Sequence, residues 1–125
     1  EDCWKGETAW TDGPRYTNRG NWATYTPYPA DNPVTIFAGQ TIPVGTATFS
    51  PVVDGKVTIT INLDADVRLA DVKDNVKIQG YASAPSGNPA PGRFANKFTG
   101  VTSFDVPAAN FYGVHLDVER KVPCD

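Results

Sequence analysis

Methionine is absent from the 125 residues, histidine occurs once and cysteine twice. No apolar run approaches the ~18 residues that a membrane-spanning helix needs, so no membrane insertion is expected. The longest basic run is Arg120-Lys121, Glu119 precedes it, and the formal net charge is −3. Nucleic acids and anionic membrane surfaces call for a concentrated basic face, so neither is an expected partner. His115, the lone histidine, falls on the polar face of a predicted strand, where an exposed or hydrogen-bonded ring is expected. No Gly-x-Ser-x-Gly turn accompanies it, so a Ser-His-Asp centre has no support. One histidine and two cysteines do not furnish a zinc site, no glycine-rich phosphate cradle occurs, and no cofactor is expected. The chain is not read as an enzyme. Asn-x-Ser/Thr acceptors are also missing. No segment keeps an apolar period of about 3.6 residues, which argues against helices.

The two cysteines stand at the ends of the chain, at positions 3 and 124. Neither has a competing partner, so a Cys3–Cys124 bridge is expected. Closing so long a loop is worth about 4–5 kcal/mol in the chain-entropy model. The bridge also requires the termini to meet, with Cα atoms roughly 5.5 Å apart. Its persistence needs an oxidising compartment, which places the chain outside the cell or at its surface. The opening Glu1-Asp2-Cys3 fits a mature N-terminus left by signal removal. The length is that of one domain, residues 1–125, large enough to bury a core without a metal.

Eleven glycines and eleven prolines punctuate a run of strand signals. The clearest is Lys56 to Leu63, where Val57, Ile59, Ile61 and Leu63 alternate with Thr58, Thr60 and Asn62. Asp54-Gly55 just before it is a favoured two-residue hairpin turn, and Gly45 to Val53 forms the other arm. Pro51 removes one donor from that arm and belongs at an edge or bulge. Val114, Leu116 and Val118 alternate with His115, Asp117 and Glu119 in a last strand. Further strands are predicted at Asn21 to Thr26, Val34 to Ala38, Val76 to Gly80 and Thr102 to Val106, with short ones at Thr8 to Trp10 and Arg93 to Phe98. The expected fold is therefore all-β: an antiparallel β-sandwich of about seven to eight strands, with a barrel as the alternative.

Tyr25 to Pro33 and Ala82 to Gly92 read as loops, the second rich in proline and free of charge. The segment Asp64 to Asn75 is read as a solvated acidic loop. Asp64, Asp66, Asp71 and Asp74 are its weak candidates for calcium ligands, since the glycine and the closing glutamate of an EF-hand are missing.

Several short motifs fall in a recognisable order. They are Glu7-Thr8-Ala9-Trp10, Phe37-Ala38-Gly39-Gln40, Gly45-Thr46-Ala47-Thr48-Phe49, Asp54-Gly55, Val57-Thr58-Ile59-Thr60-Ile61, Ala90-Pro91-Gly92-Arg93-Phe94 and Val114-His115-Leu116-Asp117-Val118. This order resembles a domain of secreted microbial proteins of unassigned activity. The resemblance implies an extracellular β-sandwich module of surface or matrix proteins and carries no catalytic residue across.

Aromatic residues are the main functional lead. Trp4, Trp10, Tyr16, Trp22, Tyr25 and Tyr28 all lie in the first 28 residues. Three readings stand side by side: core packing, an assembly interface, and a platform for sugar rings with Asp12, Arg15, Asn18, Arg19 and Asn21 beside it. The expected function is a secreted structural or adhesive module, a self-assembling subunit of an extracellular filament or cell-surface matrix. Its partners would be copies of itself or other surface proteins, and the N-terminal segment or the Ala82–Gly92 loop would make the contact. The alternative is a carbohydrate-binding, lectin-like module whose partner is a polysaccharide.

Overall fold

The computed structural model describes residues 2–125; Glu1, where the expected mature N-terminus begins, lies outside them. Ten strands follow one another: β1 Asp2–Thr11, β2 Thr26–Pro27, β3 Val34–Ala38, β4 Ile42–Phe49, β5 Lys56–Leu63, β6 Val67–Leu69, β7 Val76–Tyr81, β8 Asn96–Phe98, β9 Ser103–Pro107 and β10 Phe111–Pro123. One short 3-10 turn, Pro91–Arg93, interrupts the last long loop. The strands form a single antiparallel sheet in the order β8-β7-β10-β1-β3-β4-β5-β9, with β2 and β6 also paired to β10. The sheet coils nearly into a barrel, so that its opposite walls pack on each other as the layers of a sandwich do.

The alternation read in the sequence sets the inner face. Val57, Ile59, Ile61, Val114, Leu116 and Val118 are all buried, beside Ile36, Phe49, Ile78, Phe104 and Tyr112. Asp54 and Gly55 both take positive φ, 52° and 74°, as a type I′ turn requires. Val53 and Lys56 close that turn with paired backbone hydrogen bonds of 2.9 and 3.0 Å. Pro51 lies beyond the end of β4, exposed and outside the ladder. The proline within β4 is Pro43, beside a break in register where Ile36 faces Gly45 and Phe37 faces Pro43. Such a bulge bends the sheet and helps it close. Gly45 is required there, because a Cβ would stand 2.3 Å from the Asn62 carbonyl oxygen.

β8 and β9 follow each other in the chain yet end the hydrogen-bonded order on opposite sides, leaving a seam. Phe98 and Phe104 meet across it, with ring centroids 4.8 Å apart. The free edge of β9 is short and ends in a proline. Ile61 N–H donates to Thr102 O at 2.8 Å, which sets the phase of the β5–β9 ladder and turns the backbone groups of Ser103, Asp105 and Pro107 outward. Pro107 has no N–H, and its carbonyl accepts the Tyr112 hydroxyl at 2.8 Å. The outward groups of Ser103 and Asp105 leave the edge open over a short stretch, which the proline ends.

Three expectations change. Asn21 to Thr26 is not a strand; only Thr26 enters β2, and Thr24 bridges Arg15 alone. Its backbone hydrogen bonds include Tyr16 N–H to Ala23 O and Tyr25 N–H to Pro14 O, while the Thr24 hydroxyl ties it to Thr11 O of β1, so it folds as a separate layer on the outside of the sheet. Within the acidic segment, Val67 and Leu69 form β6 against β10. β10 extends far beyond Val114–Val118 because β1 pairs with it along most of its length, from Asp2 with Pro123 to Trp10 with His115. The Cys3–Cys124 disulfide ties these same two strands together at a Cα–Cα distance of 5.2 Å.

Candidate functional site

Most of the N-terminal aromatics serve packing. Trp10, Tyr16 and Tyr25 are buried with Ala23 and Phe94 in a second apolar cluster on the outer face of the sheet, and Trp22, Tyr81 and Phe111 pack against it. The rings meet edge to face, Trp10 with Tyr16 at 5.7 Å and Tyr16 with Tyr25 at 5.4 Å. Gly113 admits this layer: a Cβ there would stand 2.0 Å from the Tyr16 hydroxyl. Burial, then the hydrogen bond to Tyr81, pushes the Tyr16 hydroxyl well above the ordinary tyrosine range and keeps it protonated. Trp4 is half-buried on β1, with the Arg68 guanidinium 3.8 Å over its ring. Tyr28 donates its hydroxyl to Ser50 O and is also half-buried.

The layer also covers His115. The ring is 7% exposed, its Nδ1 has no hydrogen-bond partner, and Trp10 lies edge-on at 5.0 Å. This corrects the expectation of an exposed histidine. The polar face of β10 lies beneath a second core, a consequence of tertiary packing that strand alternation does not report. Desolvation lowers the His115 pKa, Asp117 opposes this, and Lys77 reinforces it. The ring is neutral at neutral pH.

Asp64, Asp66, Asp71 and Asp74 do not converge. No group of three or more possible metal-ligating side chains gathers among the described residues. Asp64 N–H and O instead close the turn into β6, through bonds to Val44 O and from Val67 N–H.

Of the depressions on the surface, one lies at the seam and one beside the N-terminal aromatics. The larger, about 600 Å³, opens at the end of the seam between β8 and β9. Its walls include Tyr28, Val52, Tyr81, Asn96, Pro107 and Asn110, and no acidic or basic side chain lines it. Asn96 and Asn110 spend their amide nitrogens on Ile78 O and Ala82 O, which holds both side chains in place. Val52 and Val53 on the hairpin beside it are 50% and 66% exposed. Apart from Tyr28, sequence reasoning did not find these residues. They come from segments far apart in the chain, from Val52 to Asn110, and the one local sign was the absence of charge from Ile78 to Gly92.

The smaller depression, about 290 Å³, lies on the outer layer and is lined by Asp12, Arg15, Trp22, Thr24, Phe37 and Gln40. Trp22 thus joins Asp12 and Arg15, as the sugar-platform reading grouped them. Phe37 and Gln40 come from the β3–β4 hairpin, where β1–β3 pairing sets Phe37 opposite Trp10.

Compared with protein families, curated proteins and solved structures, the chain matches none.

Proposed function

We propose that the chain is an extracellular structural or adhesive module whose copies pack against one another in a filament or cell-surface matrix. The uncharged groove at the seam supports this reading most directly. A recess of about 600 Å³ free of formal charge, rimmed by exposed Val52, suits a neutral polypeptide segment. The chain has such a segment in Ser83 to Pro91, which carries three prolines and no charge. Proline-rich extended segments bind in grooves that offer aromatic rings, because little conformational entropy remains to be lost. The centre of the loop is held on its own outer layer by Gly87 N–H to Tyr16 O at 2.9 Å. It therefore faces outward, toward the groove of a neighbour.

The N-terminal segment is held along its length by β10, and β3 pairs with its end at Ala9, Trp10 and Thr11. Strand addition at the β8 and β9 edges is disfavoured by their shortness and by Pro107. Groove-to-loop contact is head to tail, and head-to-tail contacts build rings or open filaments. The extracellular setting fits the terminal disulfide, and no helix is long and apolar enough to cross a membrane.

Sedimentation velocity and negative-stain microscopy over a concentration series test the reading. The wild-type chain is expected to form concentration-dependent oligomers or fibres. Val52→Asp, which puts a charge into the groove, and deletion of Ser83 to Pro89 are each expected to abolish them, with Val52→Asp leaving the melting temperature unchanged. A wild-type chain that stays monomeric at the highest soluble concentration would sink the proposal.

A further inference from the structure

The cleft between Trp22 and Phe37 lies apart from the association groove and has a different chemistry. Two aromatic side chains, both half-buried, share it with an exposed carboxylate, an exposed guanidinium and an exposed carboxamide. Asp12 and Arg15 carry opposite charges and line the same small space, yet they form no ion pair with each other. Asp12 Oδ1 accepts the Gly13 N–H at 2.9 Å, and Arg15 Nη2 donates to Asn21 O at 2.9 Å. These two bonds hold the side chains to their own loop. Among the described residues, nothing engages the second carboxylate oxygen of Asp12, the remaining guanidinium N–H groups of Arg15, or the carboxamide of Gln40.

Gln40 adds an independent sign. It occupies the β3–β4 turn with φ at 77°, a conformation that favours glycine. A glutamine there costs about 1 kcal/mol of backbone strain relative to glycine. Strain held at an exposed position beside a cleft points to a use for the side chain. The turn itself would form better without it.

We infer that this cleft binds one ring of an uncharged hexose polysaccharide, with the apolar face of the sugar against Trp22 and Phe37 and its hydroxyls bonded to Asp12, Arg15 and Gln40. A pyranose ring has C–H faces that suit aromatic side chains and a rim of hydroxyls that both donate and accept. Asp12 only accepts, Arg15 only donates, and Gln40 does both, so adjacent hydroxyls find complementary partners. The volume, about 290 Å³, stands at the lower end of the range for small-ligand sites, about 300–1,000 Å³, and suits one ring. A site that leaves charged groups ready for hydroxyls also rejects ligands without them, since those groups would then be desolvated unpaired. The inference does not depend on self-association, and Val52→Asp is expected to leave it intact.

Titration calorimetry and affinity electrophoresis with dextran, mannan and galactan, alongside glucose, mannose and galactose, provide the test. At least one of the three polymers is expected to bind, with its monosaccharide competing. Gln40→Gly removes the carboxamide at a position where glycine is the better backbone residue. It should weaken binding at least tenfold while the melting temperature stays level or rises. Asp12→Asn, which keeps the bond to Gly13 N–H, should weaken binding similarly. Failure of all three polymers to bind would overturn the inference. So would binding that both variants leave unchanged, since the sugar would then sit elsewhere.

Discussion

Protonating His115 would put a charge under Trp10 with no partner for Nδ1. Burial therefore holds its pKa below the ordinary histidine value, with Lys77 adding to the effect and Asp117 working against it. The unfolded chain accepts this proton near pH 6.5, while the folded chain accepts it only at lower pH. Stability is thus complete above about pH 6.5 and falls as pH drops below it, by at most about 1.4 kcal/mol per pH unit for one proton. Urea midpoints between pH 7.5 and 5.5 should show this slope. In His115→Gln the slope should disappear over the same window, above the range where carboxylates titrate. A variant that keeps the wild-type slope would show that His115 is not its source.

At the scale of the strand, β5 has two faces with different surroundings. Ile59 is fully buried among the core side chains. Thr58 lies on the other face, half-buried, with its hydroxyl donating to Asp105 Oδ1 at 2.7 Å. Ile59→Ala should cost about 2–5 kcal/mol, since it leaves a cavity in a closed core. Thr58→Ala should cost less than about 1 kcal/mol, because the exposed hydrogen bond it removes is exchanged for water. Chemical denaturation of the dilute, monomeric chain reads both values. Equal costs in the monomer would mean that the Thr58 hydroxyl and its partner Asp105 are packed as tightly as the core face.

Across the whole molecule, the disulfide joins the two longest strands where both chain ends meet. β1 and β10 also share the Arg120–Glu7 ion pair at 3.0 Å and the Lys121–Asp2 pair at 3.5 Å. The Lys121–Asp2 pair is exposed and worth little, so the covalent link is the main restraint on that end of the pair. Reducing it frees a loop spanning 121 positions. The expected loss is about 4–5 kcal/mol, or more than about 10 °C in melting temperature. Calorimetry with and without reductant checks this, with alkylation and mass spectrometry confirming two thiols per reduced chain and none before. A melting temperature unmoved by full reduction would show that strand pairing alone holds the termini.

The sequence by itself determined the β class, the hairpin at Asp54-Gly55, the inner face of β5 and β10, and the partnership of Cys3 with Cys124. Each of these rests on local rules: alternation at period two, a turn that needs two positive φ values, and two cysteines with no competitor. What lies on the outer face of the sheet depends on contacts between distant segments. The strand-like pattern at Asn21 to Thr26 reads the same whether the segment joins the ladder or lies across it. The choice was made by Gly113, whose missing side chain lets Tyr16 settle on β10 and bury His115 and Trp10 beneath a second layer. The alternation read for the last strand ends at Glu119, yet β10 runs on through Arg120 and Lys121 because β1 pairs with it there and supplies Glu7 and Asp2 to them. The seam groove and the Trp22 cleft are further still from local reading. Each brings together residues that share no pattern in the chain, placed side by side by the closure of the barrel and the folding of the outer layer.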